Sequence, residues 1–270
     1  MNKFHALCPL CGAQRPDLIP LQPPIPVITR HKVPWQSDRI NLSLFFCCFL
    51  ILALASCATR GQIASKPIDF SQFRDNPIPA DVSGWLECGK QSEITPAISA
   101  IASQIRGQNR RESLYKAIDY IHENFIYDNW YSDKAFTRTA DELFKSKVLG
   151  GCSNYALVAV TLFRALEIPA SMVLTANVDW MLAYRENNLL IPTGHVFIEA
   201  YLEDRWCLVD PTYRIVFTDY DPASPKYPRR EHFCLRAKDY WESGITDVSK
   251  LNEIMGTDYG DRHTSRILNR

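Results

Sequence analysis

Three residues in the second half of the chain have types and spacing suited to covalent acyl transfer: Cys152, His195 and Asp210. That chemistry needs a nucleophile, a base and a group that orients the base. Cys152 follows Gly150-Gly151, which permit a sharp turn and close approach of backbone to a substrate. It opens a stretch, Cys152 to Leu166, that is apolar nearly all round and therefore reads as a helix buried on all sides. A helix starting at Cys152 aims N–H groups and a partial positive charge at the sulfur, which favours the thiolate. It also offers a backbone donor for an oxyanion.

The base and its orienter need strands. Residues 195–202 alternate, with His195, Phe197, Glu199 and Tyr201 on one face and Val196, Ile198, Ala200 and Leu202 on the other. Glu203-Asp204 reads as a hairpin tip, and Trp206 to Asp210 as the returning strand, ended by Pro211. With a two-residue tip, paired residue numbers share one odd sum. Asp210 then lies opposite Phe197 and diagonal to His195 on the same face, about 7–8 Å away at the backbone. A three-residue tip would put Asp210 on the wrong face. By the same parity Cys207 points away from the site.

The surrounding elements follow from local signals. Thr95-Pro96 marks a helix start. Leu114, Ile118, Ile121 and Phe125 line one helical face over about 111–125. Thr139 to Glu142 fits a capping box, with a short helix to about Ser146. Ser171 to Val178 reads as a strand, residues 218–229 as a proline-broken loop, and the tail from about Lys238 as a helical region packed by Tyr240, Trp241, Leu251 and Ile254. The sum is an α+β fold, a central buried helix bearing Cys152 packed on an antiparallel sheet.

Four blocks in this order resemble the transglutaminase-like superfamily, which has the papain-type fold: Gly151-Cys152-Ser153-Asn154-Tyr155-Ala156, Arg164 to Ala170, Gly194-His195-Val196-Phe197-Ile198-Glu199, and Trp206 to Thr212. The resemblance covers roughly residues 112–215. It implies Cys152 as nucleophile, His195 as general base and Asp210 as the residue holding the imidazole. Two positions depart from the pattern: Glu167 stands where the family usually has Gly, and Phe197 where Trp is common. The segment 179–193 is either a loop that shapes the substrate groove or a surface insertion. Asn129, Trp130 and Tyr131 are candidates for the second oxyanion donor. The expected reaction passes through a thioester at Cys152, with a peptide, protein or cell-wall peptide as substrate and no cofactor or metal. The competing reading is a catalytically inactive binding or scaffold module on the same fold, since fold alone does not imply turnover. A third, a metal site built from the same three residues, has little in its favour.

Composition narrows the class. The 30 basic and 30 acidic residues cancel, which gives no support to nucleic-acid binding. The run Lys226, Arg229, Arg230, Arg236 and Lys238, broken by Pro228 and Glu231, reads as a solvated loop. The 9 cysteines are not spaced as a disulfide framework, though two of Cys88, Cys207 and Cys234 could pair in an oxidising compartment. Cys8 and Cys11 form a lone pair, with His5 nearby, too few for a structural zinc site.

Residues 44–55 form an apolar run too short to span a bilayer comfortably and suited to a secretory signal, with Lys32 and Arg39 before it. The following Leu54-Ala55-Ser56-Cys57 resembles the lipobox of bacterial lipoproteins. This implies lipidation of Cys57, and Ala58 after it implies the outer membrane, hence a lipid-anchored protein on the periplasmic face of the envelope. The stretch before the run exceeds the ~15–30 residues of a whole signal, which points to a translation start further on, at Val33 or Leu42. The expected organisation is 1–57 extension and signal peptide, 58–90 tether and lead-in, 91–217 transglutaminase-like core, and 218–270 C-terminal loop and helical extension.

Overall fold

The computed structural model describes residues 68–128, 134–177, 194–228 and 231–254; for Glu231, His232, Phe233, Cys234 and Asn252 it describes the backbone alone. Cys57, the apolar run at 44–55, the Cys8–Cys11 pair, the segment 179–193 and the candidates Asn129, Trp130 and Tyr131 lie outside the described residues.

The helices are α1 (Ala80–Ser83), α2 (Pro96–Ile105), α3 (Arg110–Asn124), α4 (Ala140–Ser146), α5 (Cys152–Ala165) and α6 (Val248–Glu253). The strands are β1 (Ile126–Tyr127), β2 (Val148–Leu149), β3 (Ala170–Asn177), β4 (Gly194–Leu202), β5 (Arg205–Asp210), β6 (Ile215–Phe217) and β7 (Glu231–Ala237). β1 and β2 form a short parallel pair, and the other five strands form an antiparallel sheet in the order β6-β5-β4-β3-β7. Among the described residues no helix is long and apolar enough to cross a membrane.

Caps set the helix starts. Thr95 accepts from the Ile98 N–H with Pro96 in the first turn of α2, and Asn109 accepts from the Glu112 N–H at the start of α3. At α4 the Thr139 side chain and Glu142 complete a reciprocal capping box. α5 is the centre of the core: every residue from Cys152 to Arg164 is buried. It packs against α3, β3 and β4, and its neighbours Leu114, Ile121, Met172, Ile198 and Val209 belong to the same cluster. The helix ends where Glu167 takes a left-handed φ of 63°. That geometry favours glycine, the residue the sequence resemblance leads one to expect where this chain has Glu.

The β4–β5 hairpin has the odd register. Leu202 pairs with Arg205, Ala200 with Cys207 and Ile198 with Val209. Glu203 and Asp204 both have positive φ, 45° and 60°, the two-residue type I′ geometry whose twist matches the strands. Non-glycine residues there are strained by about 1–2 kcal/mol each. Arg111 of α3 offsets this with a forked ion pair to Glu203, its guanidinium lying 4.6 Å from the Phe73 ring centroid.

Three regions differ from the sequence reading. The basic run at 226–238 is not a solvated loop throughout, because Glu231–Ala237 forms β7 against β3 and Arg236 pairs with the buried Glu199. β6 adds a second unexpected edge strand. The lead-in, where described, carries short helical turns at Phe70–Gln72, Ala80–Ser83 and Gly84–Leu86. It is fastened by Arg164, whose guanidinium donates to Trp85 O and Ser92 Oγ as well as to Ala170 O. Cys88 and Cys207 are free thiols, so they are not joined to each other.

Candidate active site

Cys152 occupies the first position of α5 and is 1% exposed. The helix has no side-chain cap, so its dipole end and first-turn N–H groups are not taken up by a capping group. Gly151 is extended, with φ 161° and ψ −172°, so no left-handed turn is needed there. The bend is held instead by Asn154. Its Oδ1 accepts from Gly150 N–H (2.8 Å) and Arg138 Nη2 (3.0 Å), while its Nδ2 donates to Ala135 O (2.9 Å). Arg138 Nη2 also donates to Val148 O in the strand leading to the glycines. From below, the buried Tyr240 hydroxyl donates to Ser153 O at 3.0 Å. Burial, reinforced by the nearby Cys152 sulfur, pushes the Tyr240 phenol well up, so it stays a neutral donor.

His195 and Asp210 meet as the register requires. Nε2 of His195 lies 2.9 Å from Asp210 Oδ2, with side chains only 2% and 0% exposed. The other carboxylate oxygen accepts from the backbone N–H of Thr212 (3.1 Å) and Tyr213 (3.2 Å). One carboxylate therefore holds the imidazole on one side and its own turn on the other. The turn carries Tyr213, whose ring lies over His195 with centroids 5.8 Å apart, while Phe197 meets the imidazole edge-on at 4.7 Å. A carboxylate oxygen only accepts, so Nε2 carries the proton, and proton exchange with a thiol falls to Nδ1. Gly194, just before His195, is required by space: a Cβ there would stand 2.0 Å from Thr175 O.

A path of contacts runs from the Cys152 helix to the Asp210 corner. Tyr155, one turn after Cys152, stacks on His122 of α3 with centroids 5.2 Å apart. His122 Nε2 in turn lies 2.8 Å from Pro211 O. Of the residues the sequence names, the structure brings His195 and Asp210 into contact; the sequence does not name His122 or Tyr213 and gives Asn154 no separate role. Asn154 sits inside the quoted Cys block, four residues after Gly150, a side-chain-to-backbone spacing that signals such a clamp. His122 has no local signal, because its partners are brought in by the fold.

Cys207 is buried on the helix-facing side of the sheet, as its parity requires. Burial pushes its thiol up, against the lowering effect of Arg111. Burial likewise pushes the Cys88 thiol up, against Arg164.

A buried helix led by a cysteine, packed on an antiparallel sheet that pairs a histidine with an aspartate, defines an α+β transglutaminase-like or papain-like arrangement. Residues 99–211 match the family model of the Transglutaminase-like superfamily. Among solved structures it is similar to a candidate cysteine protease from Cytophaga hutchinsonii, with 18% identity, TM-score 0.46, and coverage of 62% of this chain and 50% of that one. It is also similar to the periplasmic domain of TgpA from Pseudomonas aeruginosa, with 23% identity, TM-score 0.36, and coverage of 52% and 50%. The chain thus spans about half the length of these structures. No curated protein matches the sequence.

Proposed function

We propose that the protein is a cysteine-dependent enzyme that transfers acyl groups from amide bonds, with Cys152 as nucleophile, His195 as general base and Asp210 as orienter. The observation that carries this reading is the buried His195–Asp210 pair, whose carboxylate is tied down by two further amides. An ionised carboxylate there stabilises positive charge on the imidazole and holds its orientation.

In this reading Nδ1 of His195 takes the Cys152 proton and the thiolate attacks the amide carbonyl. The tetrahedral oxyanion is met by backbone N–H at the start of α5. The C–N bond breaks as the imidazolium protonates the leaving amine, which leaves a thioester. Water or a second amine, its proton taken by His195, attacks the thioester and releases the thiolate. Water gives an acid product and a peptidase or amidase; an amine gives a transglutaminase. Hydrolysis of peptide or cell-wall amide bonds suits a chain that, on its lipobox-like Leu54 to Cys57, is lipid-anchored through Cys57 at the periplasmic face of the outer membrane.

The test is mass spectrometry of casein and of peptidoglycan peptides incubated with the protein, with and without an added primary amine. Cleaved peptides mean hydrolysis and amine adducts mean transamidation, and both should vanish in Cys152→Ala. Unchanged substrates in every arm would favour a binding module and overturn the catalytic reading. The anchor is tested by the mass of the mature N-terminal peptide: it should begin at Cys57 and carry the lipid, and an unmodified Cys57 rejects it.

A further inference from the structure

His122 stands half-buried in the last turn of α3 and has no part in the chemistry above. Its Nε2 lies 2.8 Å from the Pro211 carbonyl, which can only accept, so Nε2 is the protonated donor. Its ring face is covered by Tyr155, with centroids 5.2 Å apart and planes inclined at 34°. Pro211 directly follows Asp210. Tyr155 lies three residues after Cys152, which on a helix makes it a neighbour one turn along. One imidazole therefore touches both halves of the site, the helix carrying the thiol and the corner carrying the orienting carboxylate.

We propose that His122 is a positioning residue that sets the spacing between the Cys152 helix and the Asp210–His195 pair. The proposal rests on the catalytic reading above. Arg214 of the corner also pairs with Asp119 of α3, but both side chains are half exposed and such a pair contributes little. Restraints within the sheet act as well: Asp210 accepts from Thr212 and Tyr213 of its own turn and pairs with Ile215 of β6. They fix the shape of the corner, whereas His122 ties the corner to α3 and, through Tyr155, to α5. Spacing matters steeply here, because a misplacement of about 1 Å between reacting groups costs on the order of a hundredfold in rate.

Two substitutions in the full chain separate the donor from the ring. His122→Phe keeps a ring against Tyr155 and removes the donor to Pro211. His122→Gln keeps an amide N–H near the position of Nε2. The readout is carbamidomethylation of Cys152 by iodoacetamide from acidic to mildly alkaline pH, followed on the Cys152 peptide by mass spectrometry, with melting by circular dichroism as the check on folding. In the parent protein, reaction should persist below the ordinary thiol range. His122→Phe should cut the rate at mildly acidic pH by about tenfold and move the profile towards an ordinary thiol, because a displaced His195 takes the thiol proton less readily. His122→Gln should stay within about threefold of the parent, since the donor is retained. A His122→Phe profile that superimposes on the parent's, or equal losses in both variants, overturns the proposal. Should His122→Phe not fold, Tyr155→Leu cuts the same link at its other end and must reproduce the shift. If Cys152 of the parent reacts as an ordinary thiol throughout, the catalytic reading fails, and the positioning role falls with it.

Discussion

Asp210 and Glu199 are buried carboxylates on the same face of the same sheet, 0% and 1% exposed, and they are answered in different ways. Glu199 receives both nitrogens of the Arg236 fork, the Ser171 hydroxyl at 3.0 Å and the Tyr220 hydroxyl. Arginine does not give up its proton in a protein. Burial and the hydrogen bond to Glu199 push the Tyr220 phenol up, so that group stays neutral too. The cluster serves as a staple between β3, β4, β7 and the loop carrying Tyr220. Asp210 meets an imidazole rather than a guanidinium, and its second oxygen is occupied by backbone amides. A buried carboxylate with a permanent cation holds structure, while one with a titratable partner is equipped to move a proton.

Substitutions at the two carboxylates should therefore damage different properties. Asp210→Asn is expected to lower turnover of an amide substrate by about three orders of magnitude, through the wrong imidazole tautomer and lost charge. Stability should change by about 1–2 kcal/mol in denaturant titration. Glu199→Ala should do the reverse. It leaves Arg236 partly buried without its carboxylate and should cost about 3–5 kcal/mol of unfolding free energy. Turnover per folded molecule should stay within about threefold if the role is structural. Large loss of turnover with intact stability at Glu199 would erase the distinction. The double substitution Glu199→Leu with Arg236→Met sharpens it, because apolar replacement of both partners should recover most of the stability. The smallest effect belongs to Tyr227→Phe, which removes a hydroxyl contact with Tyr220 at 3.1 Å while keeping the ring 5.7 Å from Phe197. It should cost about 1 kcal/mol in the same titration and leave Cys152 labelling unchanged.

The same division separates what the sequence discloses from what it conceals. The buried Cys152 helix, the capping box at Thr139 and the odd register at Glu203-Asp204 are local patterns, legible because each partner lies within a few residues or one hairpin. The His195–Asp210 pairing followed from that register alone. β7 stayed hidden because its basic residues look solvated in isolation; Arg236 is neutralised by Glu199, 37 positions earlier. The His122 link stayed hidden for the same reason, with its acceptor 89 positions away. Long-range pairing converts surface-like residues into interior ones, and no window of sequence contains both partners.

The central claim is that Cys152 is the reactive thiol because of where it stands rather than because it is exposed. Carbamidomethylation of the full chain at neutral pH, followed cysteine by cysteine, tests it directly. Cys88 is the fair control: it is more exposed than Cys152, yet burial of its sulfur pushes its thiol up and keeps it protonated. Cys207, raised in the same direction, should be slower still. The account predicts that Cys152 reacts at least about tenfold faster than either, in proportion to its thiolate fraction, and that His195→Ala abolishes the advantage. Equal, slow reaction of all three, or a faster Cys88, would contradict it.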